Sequence, residues 1–481
     1  MNSKSVVAVL AFVVLAIGVL MGTAVTVSLL HGGSDVVSLA ISSGVSIVTG
    51  GSVWIALRGH RNELGARDAY AVVTLGWIAA SGFGSLPFLL SGAIPSFTDA
   101  FFETMSGFTT TGASILTDVE RLPEGLLYWR ALTQWIGGLG IILLSVAILP
   151  LLGVGGMQLL RAEVPGVTVE RVTPRISQTA RMLWIVYGIL TLLETALLAG
   201  AGMPLLDAVC HTFATVSTGG FSTKNASVAH FQSPSVEYII IAFMFLSGVN
   251  FVLHYRALRG DLKAYARDGE FRLYVLMSLG VTLLVFIGIP ALSSGDLGWR
   301  LRAGLFQVVS IMTTTGFVTA DYGLWLPAVQ LILLLMMFNG ACAGSTAGGI
   351  KLVRVVVLLK NGLNQLKALL HPKAVIPVRH NGRAVSQEII VDVLAFLVFY
   401  IALFALATIL LSATGLDTVS AAGSVAAAIG NIGPGLGSVG GFNNYAHVTD
   451  FGTWVLTFCM LTGRLELFTV LVLLTPSFWR R

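Results

Sequence analysis

The sequence predicts an all-α integral membrane protein with two extra N-terminal helices, followed by four repeats of helix, re-entrant pore loop and helix around a pseudo-fourfold pore. Its composition, its long uncharged runs and one motif that occurs four times carry this prediction. Of the 481 residues, 55% are hydrophobic and 11% are charged. An average soluble domain has roughly 25% charged residues, so the bilayer is the expected solvent for most of this chain.

Long apolar runs alternate with short polar segments along the whole chain. Because a helix needs about 20 apolar residues to cross the hydrocarbon core, these runs predict about ten spans. Clear examples are residues 6–30, 36–57, 274–294 and 389–415. The first run follows Lys4, as an apolar signal core would, but it is about twice as long as such a core and a second span follows it closely. We therefore expect it to remain as a helix.

Basic residues are concentrated in alternate connecting segments. If the N-terminus is inside, the segments on the cytoplasmic side hold all 28 lysines and arginines except Arg121, Arg130, Lys224, Arg300, Arg302 and Arg464. Lys and Arg near span ends mark the cytoplasmic side, so we expect a multi-pass protein with a cytoplasmic N-terminus. Acidic residues mostly fall in the opposite segments, where they would attract cations to the outer mouth. Among them are Asp99, Glu103, Asp118, Glu120, Asp207, Asp296, Asp321 and Asp417.

A short glycine-containing motif occurs once in each quarter of the chain after the first two spans. It reads FTTTGAS at 108–114, ATVSTGGF at 214–221, IMTTTGF at 311–317 and IGNIGPG at 429–435. The aligned glycines are Gly112, Gly219, Gly316 and Gly433, spaced roughly a hundred residues apart as in an internal repeat. The expected division is an N-terminal extension at 1–62 and pore repeats at 63–160, 161–258, 259–362 and 363–481.

Each motif follows a segment that is apolar enough to enter the membrane but too short to cross it, such as residues 97–109 and 205–216. Non-helical backbone at membrane depth is tolerated where it is buried in protein or lines a watery cavity. A cation filter needs main-chain carbonyl groups aimed inward, and glycine allows the positive φ angles that such a backbone requires. The predicted filter residues are Thr110, Thr111, Gly112, Ser217, Thr218, Gly219, Thr314, Thr315, Gly316, Asn431, Ile432 and Gly433.

The fourth copy of the motif differs from the other three. Asn431 and Ile432 stand where the others have Ser or Thr, and Pro434 fixes the backbone after the glycine. A single Thr-Thr-Gly in a membrane chain is ordinarily a packing or turn element. Four copies at matching positions favour the filter interpretation, while the fourth copy leaves the ion preference open.

Three longer motifs give the chain a family resemblance. They are SGVNFVLHY at 247–255, CAGSTAGGIK at 342–351 and LTGRLELF at 461–468. With the four loops, they make the chain resemble the TrkH branch of the Trk/Ktr/HKT superfamily of potassium transporters over essentially its whole length. The resemblance implies gated, channel-like potassium uptake across the plasma (inner) membrane of a prokaryote, with potassium held at the filter residues. It also implies a homodimer and a cytosolic, TrkA-like regulatory subunit that supplies the only nucleotide site.

Two features predict a gate below the filter. The segment with Gly344, Ser345, Thr346, Ala347, Gly348 and Gly349 has a composition that loosens a helix inside the membrane. Arg464 lies near the middle of a span, where a charge costs at least about 2.5 kcal/mol and needs a partner. Glu466 is two positions away and does not face it. We therefore expect Arg464 to hold the carbonyl groups of residues 344–349 across the pore. Close packing of small residues and a structural staple are the alternatives.

Other residues that can carry chemistry give weaker signals. Glu194 is an ionisable group inside a span, so it is either functional or satisfied within the structure. His211 and His254 show no metal-ligand spacing. The cysteines Cys210, Cys342 and Cys459 form no disulfide or zinc pattern. Residues 435–440 match a dinucleotide fingerprint, but they follow a re-entrant loop instead of a strand, so we reject that interpretation.

Competing functions lack comparable support. The chain has no hydrolase or ATPase motif, so we do not expect an enzyme, and nothing beyond its basic loops suggests nucleic-acid binding. The main alternative is a secondary transporter, such as a symporter, that couples potassium or sodium to protons. Such a carrier would have paired half-helices and buried acidic groups near the midplane. A membrane scaffold without transport is the third possibility, and residues 360–388 are expected to face either a partner or anionic lipid.

Overall fold

The computed structural model describes residues 2–57, 65–143, 173–289, 296–374, 376–381 and 383–480. Over these residues the regular elements are helices except for one two-stranded hairpin, and irregular loops connect them. Six of the described helices are long and apolar enough to cross a membrane, or eight if each of two sharply bent helix pairs forms one span. The expected number was about ten. The difference arises where the structure divides a predicted span or where a span reaches residues outside the described ranges.

The N-terminal extension is a helical hairpin of α1 (Ser3–His31) and α2 (Val36–Leu57). Small residues let the two helices approach closely. A Cβ on Gly50 would lie 2.5 Å from the amide nitrogen of Leu15, and one on Gly18 would lie 2.8 Å from that of Ile47. The Ser43 hydroxyl donates to the Gly18 carbonyl at 2.8 Å. Backbone contact of this kind is how helices associate where lipid removes the hydrophobic driving force.

The first two repeats follow the predicted order of long helix, short helix and second helix. The first contains α3 (Ala66–Gly84), α4 (Leu86–Leu90), α5 (Phe97–Phe108) and α6 (Glu124–Leu143). The second contains α7 (Thr173–Gly200), α8 (Leu205–Val216), α9 (Pro234–Ser247) and α10 (Phe251–Leu258). The short helices α5 and α8 begin and end within one residue of the predicted re-entrant segments. The predicted boundaries at 62/63 and 160/161 lie outside the described residues.

A small β-hairpin follows the third repeat, in a segment rich in basic residues. The repeat contains α11 (Lys263–Arg267), α12 (Gly269–Gly288), α13 (Leu297–Met312), α14 (Pro327–Phe338) and α15 (Leu352–Leu370). Strands β1 (Arg379–His380) and β2 (Arg383–Ala384) pair antiparallel, with Arg379 opposite Ala384. The predicted boundary at 362/363 falls inside α15, because Gly362 alone does not end a helix of otherwise good helix formers.

The fourth repeat contains α16 (Gln387–Ala413), α17 (Thr418–Gly430), α18 (Asp450–Arg464), α19 (Leu467–Leu471) and α20 (Pro476–Trp479). Helical 3-10 turns lie at Val119–Arg121, Ser227–Phe231, Tyr322–Leu324, Gly437–Val439 and Val472–Leu474. In the second repeat, the helix after the pore loop is bent by 101° between α9 and α10. In the fourth repeat, the corresponding helix is bent by 118° between α18 and the segment that follows it. In the third repeat the same helix is divided by residues 339–351. The second helices are therefore interrupted in three repeats.

The short helices α5, α8, α13 and α17 occupy the centre of the protein, and the long helices surround them. The last halves of the short helices are almost fully buried, although they carry many Ser and Thr residues. Large apolar side chains such as Leu192, Leu279 and Val398 are more than half exposed on the outer helices. This is the distribution expected of a protein that faces lipid on the outside and buries polar groups within.

Four of the acidic residues expected at the outer mouth stand at the N-termini of the short helices. Asp296 and Asp417 are the N-cap residues of α13 and α17 and accept hydrogen bonds from first-turn amides, while Asp99 and Asp207 lie in the first turns of α5 and α8. Carboxylates are favoured there because the unpaired N–H groups make the helix N-terminus positive. These acids therefore have a capping role in addition to any effect on cations.

The close approach of α1 and α2 leads to a stability prediction. We expect Gly50→Leu to destabilise the protein by about 1–3 kcal/mol, because the added side chain collides with the backbone of α1. The matched control is Gly44→Leu on the same helix, where a Cβ meets nothing within 4 Å. Thermal unfolding in detergent should give a lower midpoint for the first variant and an unchanged midpoint for the second. Equal midpoints would contradict this account.

Candidate functional site

The four loops after the short helices share one backbone conformation. Each has two residues with positive φ, separated by one residue. The pairs are Thr110 (50°) and Gly112 (81°), Thr218 (55°) and Gly220 (76°), Thr314 (57°) and Gly316 (82°), and Asn431 (55°) and Gly433 (94°). In each loop the residue after the first of the pair donates its N–H to a carbonyl five positions earlier, as Thr111 does to Ser106 at 2.8 Å. Four separate segments therefore adopt the same turn.

This geometry corrects the alignment of the second copy by one residue. The glycine equivalent to Gly112 is Gly220, and the predicted Gly219 corresponds to Thr111. Ser217 is the C-cap of α8, as Thr109 is of α5, so it lies before the loop. The motif has two adjacent glycines, and letters alone do not indicate which one takes the positive φ angle. Thr218 and Gly219 remain within the loop, now joined by Gly220.

The four glycines contact their neighbours in cyclic order. A Cβ on Gly112 would lie 2.2 Å from the carbonyl oxygen of Gly219, and one on Gly220 would lie 1.8 Å from that of Thr315. A Cβ on Gly316 would lie 1.8 Å from the carbonyl oxygen of Ile432, and one on Gly433 would lie 2.7 Å from that of Thr111. The order passes through all four repeats and returns to the first. Each position thus requires glycine both for its φ angle and for space.

One cavity of about 110 Å³ is lined by Gly112, Gly220, Gly316 and Gly433 together. Its wall also includes Arg130, Lys224 and Asn225, from the segments near the first two loops. The neighbouring Asp118 is partly exposed, and hydrogen bonding from the Asn225 amide, assisted by the charge of Arg121, lowers the pKa of its carboxyl group. The four loops therefore share a single cavity with charged groups at its edge.

Main-chain oxygens are the polar atoms that the loops leave without donors. Among the described residues, no donor is found for the carbonyl oxygens of Thr110, Thr218, Thr314 or Asn431, whose residues are fully buried. By contrast, most loop hydroxyl groups have partners. The Thr315 hydroxyl bonds that of Thr313 at 2.8 Å, and the Thr218 hydroxyl donates to its neighbouring carbonyl. Buried carbonyl groups without donors are the ligands that a dehydrated cation needs.

Side chains behind the loops hold this backbone in place. Arg130 and Glu103 form a buried ion pair at 2.6 Å, and Glu103 also accepts the Ile115 amide at 3.0 Å. Arg130 lies over the Phe221 ring with 3.6 Å to its centroid. Gln134 donates to the Gly219 carbonyl at 2.6 Å and accepts from the Phe221 amide. Glu103 is therefore not a free acid at the outer mouth, and sequence reasoning missed Gln134 because a lone Gln carries no motif.

Residues 339–351, here called the gate loop, lie directly beneath three of the filter loops. The Thr346 hydroxyl lies 3.0 Å from the Val216 carbonyl at the end of α8. The Gly348 amide donates to the Thr314 hydroxyl at 2.7 Å, and a Cβ on Gly348 would lie 2.5 Å from the Gly430 carbonyl. The gate loop thus contacts the second, third and fourth repeats where their short helices end.

Arg464 contacts the gate loop at its centre. Its Nη1 donates to the Thr346 carbonyl at 2.7 Å, and the residue is 2% exposed. Glu466 instead pairs with Arg354. Lys351 donates to the Ala347 carbonyl and is electrostatically coupled to Arg464. The expected contact between Arg464 and residues 344–349 is therefore present, and two basic side chains lie at the gate loop.

The remaining candidate residues divide into one unpaired group and several with structural partners. Neither carboxyl oxygen of Glu194 has a hydrogen-bond partner among the described residues. His211 contacts the Asp207 carbonyl and the Ser222 hydroxyl, and His254 contacts Tyr265 and the Leu246 carbonyl. The three cysteines are buried free thiols. No metal-binding cluster of His, Cys, Asp or Glu is found in the described ranges.

The fold and the site define an integral membrane protein of the cation-transporting class. Residues 37–481 match the TrkH family, described as cation transport proteins, and the chain belongs to this family. It is 43% identical over 91% of both chains to the Trk system potassium uptake protein TrkH of Salmonella typhimurium, and 40% identical over the full length of both to that of Halomonas elongata. The crystal structure of the potassium transporter TrkH from Vibrio parahaemolyticus matches all of both chains, with a TM-score of 0.92 and 38% identity.

Family membership confirms that the chain is a membrane transport protein and not an enzyme. It agrees with the predicted helical membrane architecture and with the resemblance drawn from the sequence motifs. The roles of individual filter and gate residues remain predictions.

The corrected alignment can be tested with two neighbouring glycines. We expect Gly220→Ala to lower cation flux by at least about tenfold. The added methyl group would collide with the Thr315 carbonyl, and alanine at a positive φ angle adds backbone strain of about 1–3 kcal/mol. Gly219→Ala should have a smaller effect, because its methyl group meets the side chain of Gln134 instead of backbone. Flux into proteoliposomes, normalised to folded protein, would measure both. A larger loss of flux for Gly219→Ala than for Gly220→Ala would instead support the alignment of Gly219 with Gly112 that the sequence predicted.

Proposed function

We propose that this protein takes up potassium through a gated, channel-like pore whose filter is the ring of four glycine-containing loops. The cyclic contacts of Gly112, Gly220, Gly316 and Gly433 with the preceding carbonyl groups of their neighbours carry the proposal. The proposed potassium ligands come from the loop residues of all four repeats. They are Thr110, Thr111, Gly112, Thr218, Gly219, Gly220, Thr314, Thr315, Gly316, Asn431, Ile432 and Gly433.

The proposed filter would work by replacing the water around the ion with main-chain oxygens. The buried carbonyl groups of the loops are dipoles fixed in advance by the left-handed turns, so they need little rearrangement when the ion enters. The short helices end at these loops, and a helix C-terminus carries roughly half a negative charge. Together they stabilise a bare cation without a buried carboxylate, whose attraction would hold the ion too tightly for rapid passage.

Potassium is the proposed ion because the relatives from Salmonella typhimurium and Halomonas elongata are named as potassium uptake proteins. Glycine occupies the second positive-φ position in all four loops. This pattern gives further support, because it is similar to that of the potassium-selective members of the superfamily. An inside-negative membrane potential would drive uptake with about 2.3 kcal/mol per cation for each 100 mV.

A proton- or sodium-coupled carrier is the second candidate, and Glu194 is the observation that favours it. A buried carboxyl group without a partner is where such a carrier would bind its coupling ion. However, Glu194 does not line the central cavity, whose wall consists of glycines and other loop residues without an acidic side chain. Downhill conduction therefore has more support than coupled transport.

The gate loop is the proposed gate, with Gly344, Ser345, Thr346, Ala347, Gly348, Gly349 and Arg464 as its residues. It would block the path because it fills the space under three short-helix ends, and Arg464 would hold it there through the Thr346 carbonyl. The neighbouring Lys351 adds a second positive charge. A cation leaving the filter would therefore meet both a steric and an electrostatic barrier.

The proposed assembly is a homodimer in a prokaryotic inner membrane, with a cytosolic nucleotide-binding regulatory subunit and a cytoplasmic N-terminus. A stripe of leucines on α15, Leu359, Leu363, Leu366 and Leu370, is more than half exposed and repeats with helical spacing, as a surface for a second copy would. The regulatory subunit rests on the family resemblance, and the orientation rests on the basic segments. The mass of the purified protein would test the dimer.

Uptake measurements would test the function directly. In cells that lack their own potassium uptake systems, we expect this protein to restore rubidium and potassium uptake, and excess sodium to compete weakly. Reversal potentials measured under a pH gradient should follow the potassium gradient alone. A shift of the reversal potential with pH would support proton coupling instead, and the absence of any cation flux from well-folded protein would reject a transport function.

The gate proposal predicts that Arg464→Ala raises basal flux in reconstituted protein. Removing a charged hydrogen bond worth about 1.5–3 kcal/mol should shift the gate loop towards open states by roughly tenfold or more. Arg464→Lys retains the positive charge and can still reach a carbonyl group, so its flux should lie closer to the wild type. Unchanged flux in Arg464→Ala protein of normal thermal stability would leave Arg464 with a structural role only.

A further inference from the structure

One buried carboxylate on another helix bonds the first half of the gate loop and the start of the helix that follows it. Glu270 lies in the first turn of α12 and is 3% exposed. Its Oε1 accepts the Ala343 amide at 2.9 Å and the Val353 amide at 3.0 Å. These two donors lie on either side of the segment that contacts the filter. A single oxygen atom therefore joins the chain entering that segment to the chain leaving it.

Residues 338–343 and 350–353 run side by side near Glu270 and form a narrow neck at the base of the gate loop. Gly340 donates its N–H to the Ile350 carbonyl at 2.7 Å, and Ile350 donates to the Phe338 carbonyl at 3.0 Å. A longer bond of 3.3 Å joins the Leu352 amide to the Ala341 carbonyl. These bonds hold the two sides of the neck together, and the Cys342 amide ties the neck to the Gly248 carbonyl at the end of α9 at 3.0 Å. Glu270 adds a link to α12 that reaches both sides of the neck.

The carboxylate also completes the N-terminus of α15. The N-cap residue of this helix is Lys351, whose side chain makes no capping hydrogen bond, and Val353 lies in the first turn. First-turn amides have no partner within their own helix, and a negative charge is favoured there. Glu270 provides both the acceptor and the charge from α12. The start of α15 and the end of the gate loop are thus fixed by the same group.

The position of Glu270 is itself well defined. Asp268 is the N-cap of α12 and accepts the Phe271 amide at 2.7 Å. The adjacent Gly269 amide donates to the Asn381 side chain at 2.9 Å, in the turn between β1 and β2. The first turn of α12 is therefore held from both sides, so that Glu270 can act as a fixed point for the gate loop.

We propose that Glu270 is a positioning residue of the gate, and that its carboxylate keeps the neck where the loop blocks the filter. This inference rests on the proposed gating function of the loop. Arg464 on α18 holds the tip of the loop, and Glu270 on α12 holds its neck. Because hydrogen bonds to an ionised acceptor are roughly twice as strong as neutral ones, the charge of the carboxylate matters as well as its shape. Loss of this anchor would lower the population of the blocking conformation.

Flux through reconstituted protein tests the proposal. We expect basal flux to rise by about tenfold in Glu270→Ala, because two charged hydrogen bonds are lost, and by a smaller factor in Glu270→Gln, whose carbonyl oxygen still accepts both amides. The matched control is Glu388→Ala, since Glu388 is an exposed first-turn glutamate of α16, and its flux should equal that of the wild type. A residue with a purely structural role would lower flux and yield instead of raising flux.

Labelling of Cys342 gives a readout that does not depend on flux. Its thiol lies in the neck, next to Ala343, and is 1% exposed. In a Cys210→Ala, Cys459→Ala background, we expect a water-soluble maleimide to label Cys342 several-fold faster in Glu270→Ala than with Glu270 intact. Glu270→Gln should again be intermediate, which keeps the test available if Glu270→Ala does not fold.

The outcomes separate this inference from the function on which it rests. If Arg464→Ala raises flux while the Glu270 variants change neither flux nor labelling, the role of Glu270 is rejected and the gate stands. If neither Arg464→Ala nor the folded Glu270 variants raise flux, the gate itself is rejected. Raised flux with faster labelling in the Glu270 variants, graded from Gln to Ala, supports the proposal.

Discussion

Unpaired main-chain groups deep in the protein are the constraint on which the rest of this structure depends. At membrane depth a carbonyl group without a donor is costly unless protein, water or an ion satisfies it. The four loops after the short helices contain such groups, since each loop has a left-handed residue followed two positions later by a left-handed glycine. Arg130, Glu103 and Gln134 hold the chain around the first two of these loops. The ring is therefore a strained centre supported by a polar layer behind it.

The gate loop follows the same physical rule in a different way. Where α14 stops at Phe338, the chain leaves helical geometry inside the protein and its amides lose their helical partners. Side chains from α12 and from the third loop then take their place, as Glu270 does for the Ala343 amide and Thr314 does for the Gly348 amide. The bends of 101° and 118° in the second helices of two other repeats interrupt the equivalent helices at the SGVNF and LTGRLE motifs. Interruption of the second helix is thus a shared feature of these repeats, which the third repeat extends into a loop.

Much of the fold could be predicted from the sequence because its signals are local. Apolar runs predicted the long helices, the short helices were predicted to within one residue, and a lone buried charge predicted the contact of Arg464 with the gate loop. The predictions that were wrong or missing depend on backbone angles and on contacts between residues that are distant in the sequence. Two adjacent glycines in the second motif give equally good alignments until φ angles distinguish them. Glu103 looked like a free surface acid because its partner, Arg130, is far away in the sequence. Neither Gln134 nor Glu270 stands in a motif, and their roles follow only from which amides they reach.

The fourth loop differs from the other three in the contacts of its side chains. Asn431 takes the left-handed position that threonine occupies elsewhere, and its side-chain amide donates to the Thr111 hydroxyl at 3.0 Å and to the Met460 carbonyl at 2.9 Å. A threonine is too short to make both bonds. Met460 belongs to α18, the helix that ends at Arg464, and a Cβ on Gly463 would lie 2.1 Å from the Ile429 carbonyl, so α18 packs directly on α17. The helix that holds the tip of the gate loop is therefore bonded to the filter itself. In the proposed mechanism, a movement of α18 that released the gate loop would also act on Asn431, so this departure from the motif would couple the proposed gate to the proposed filter.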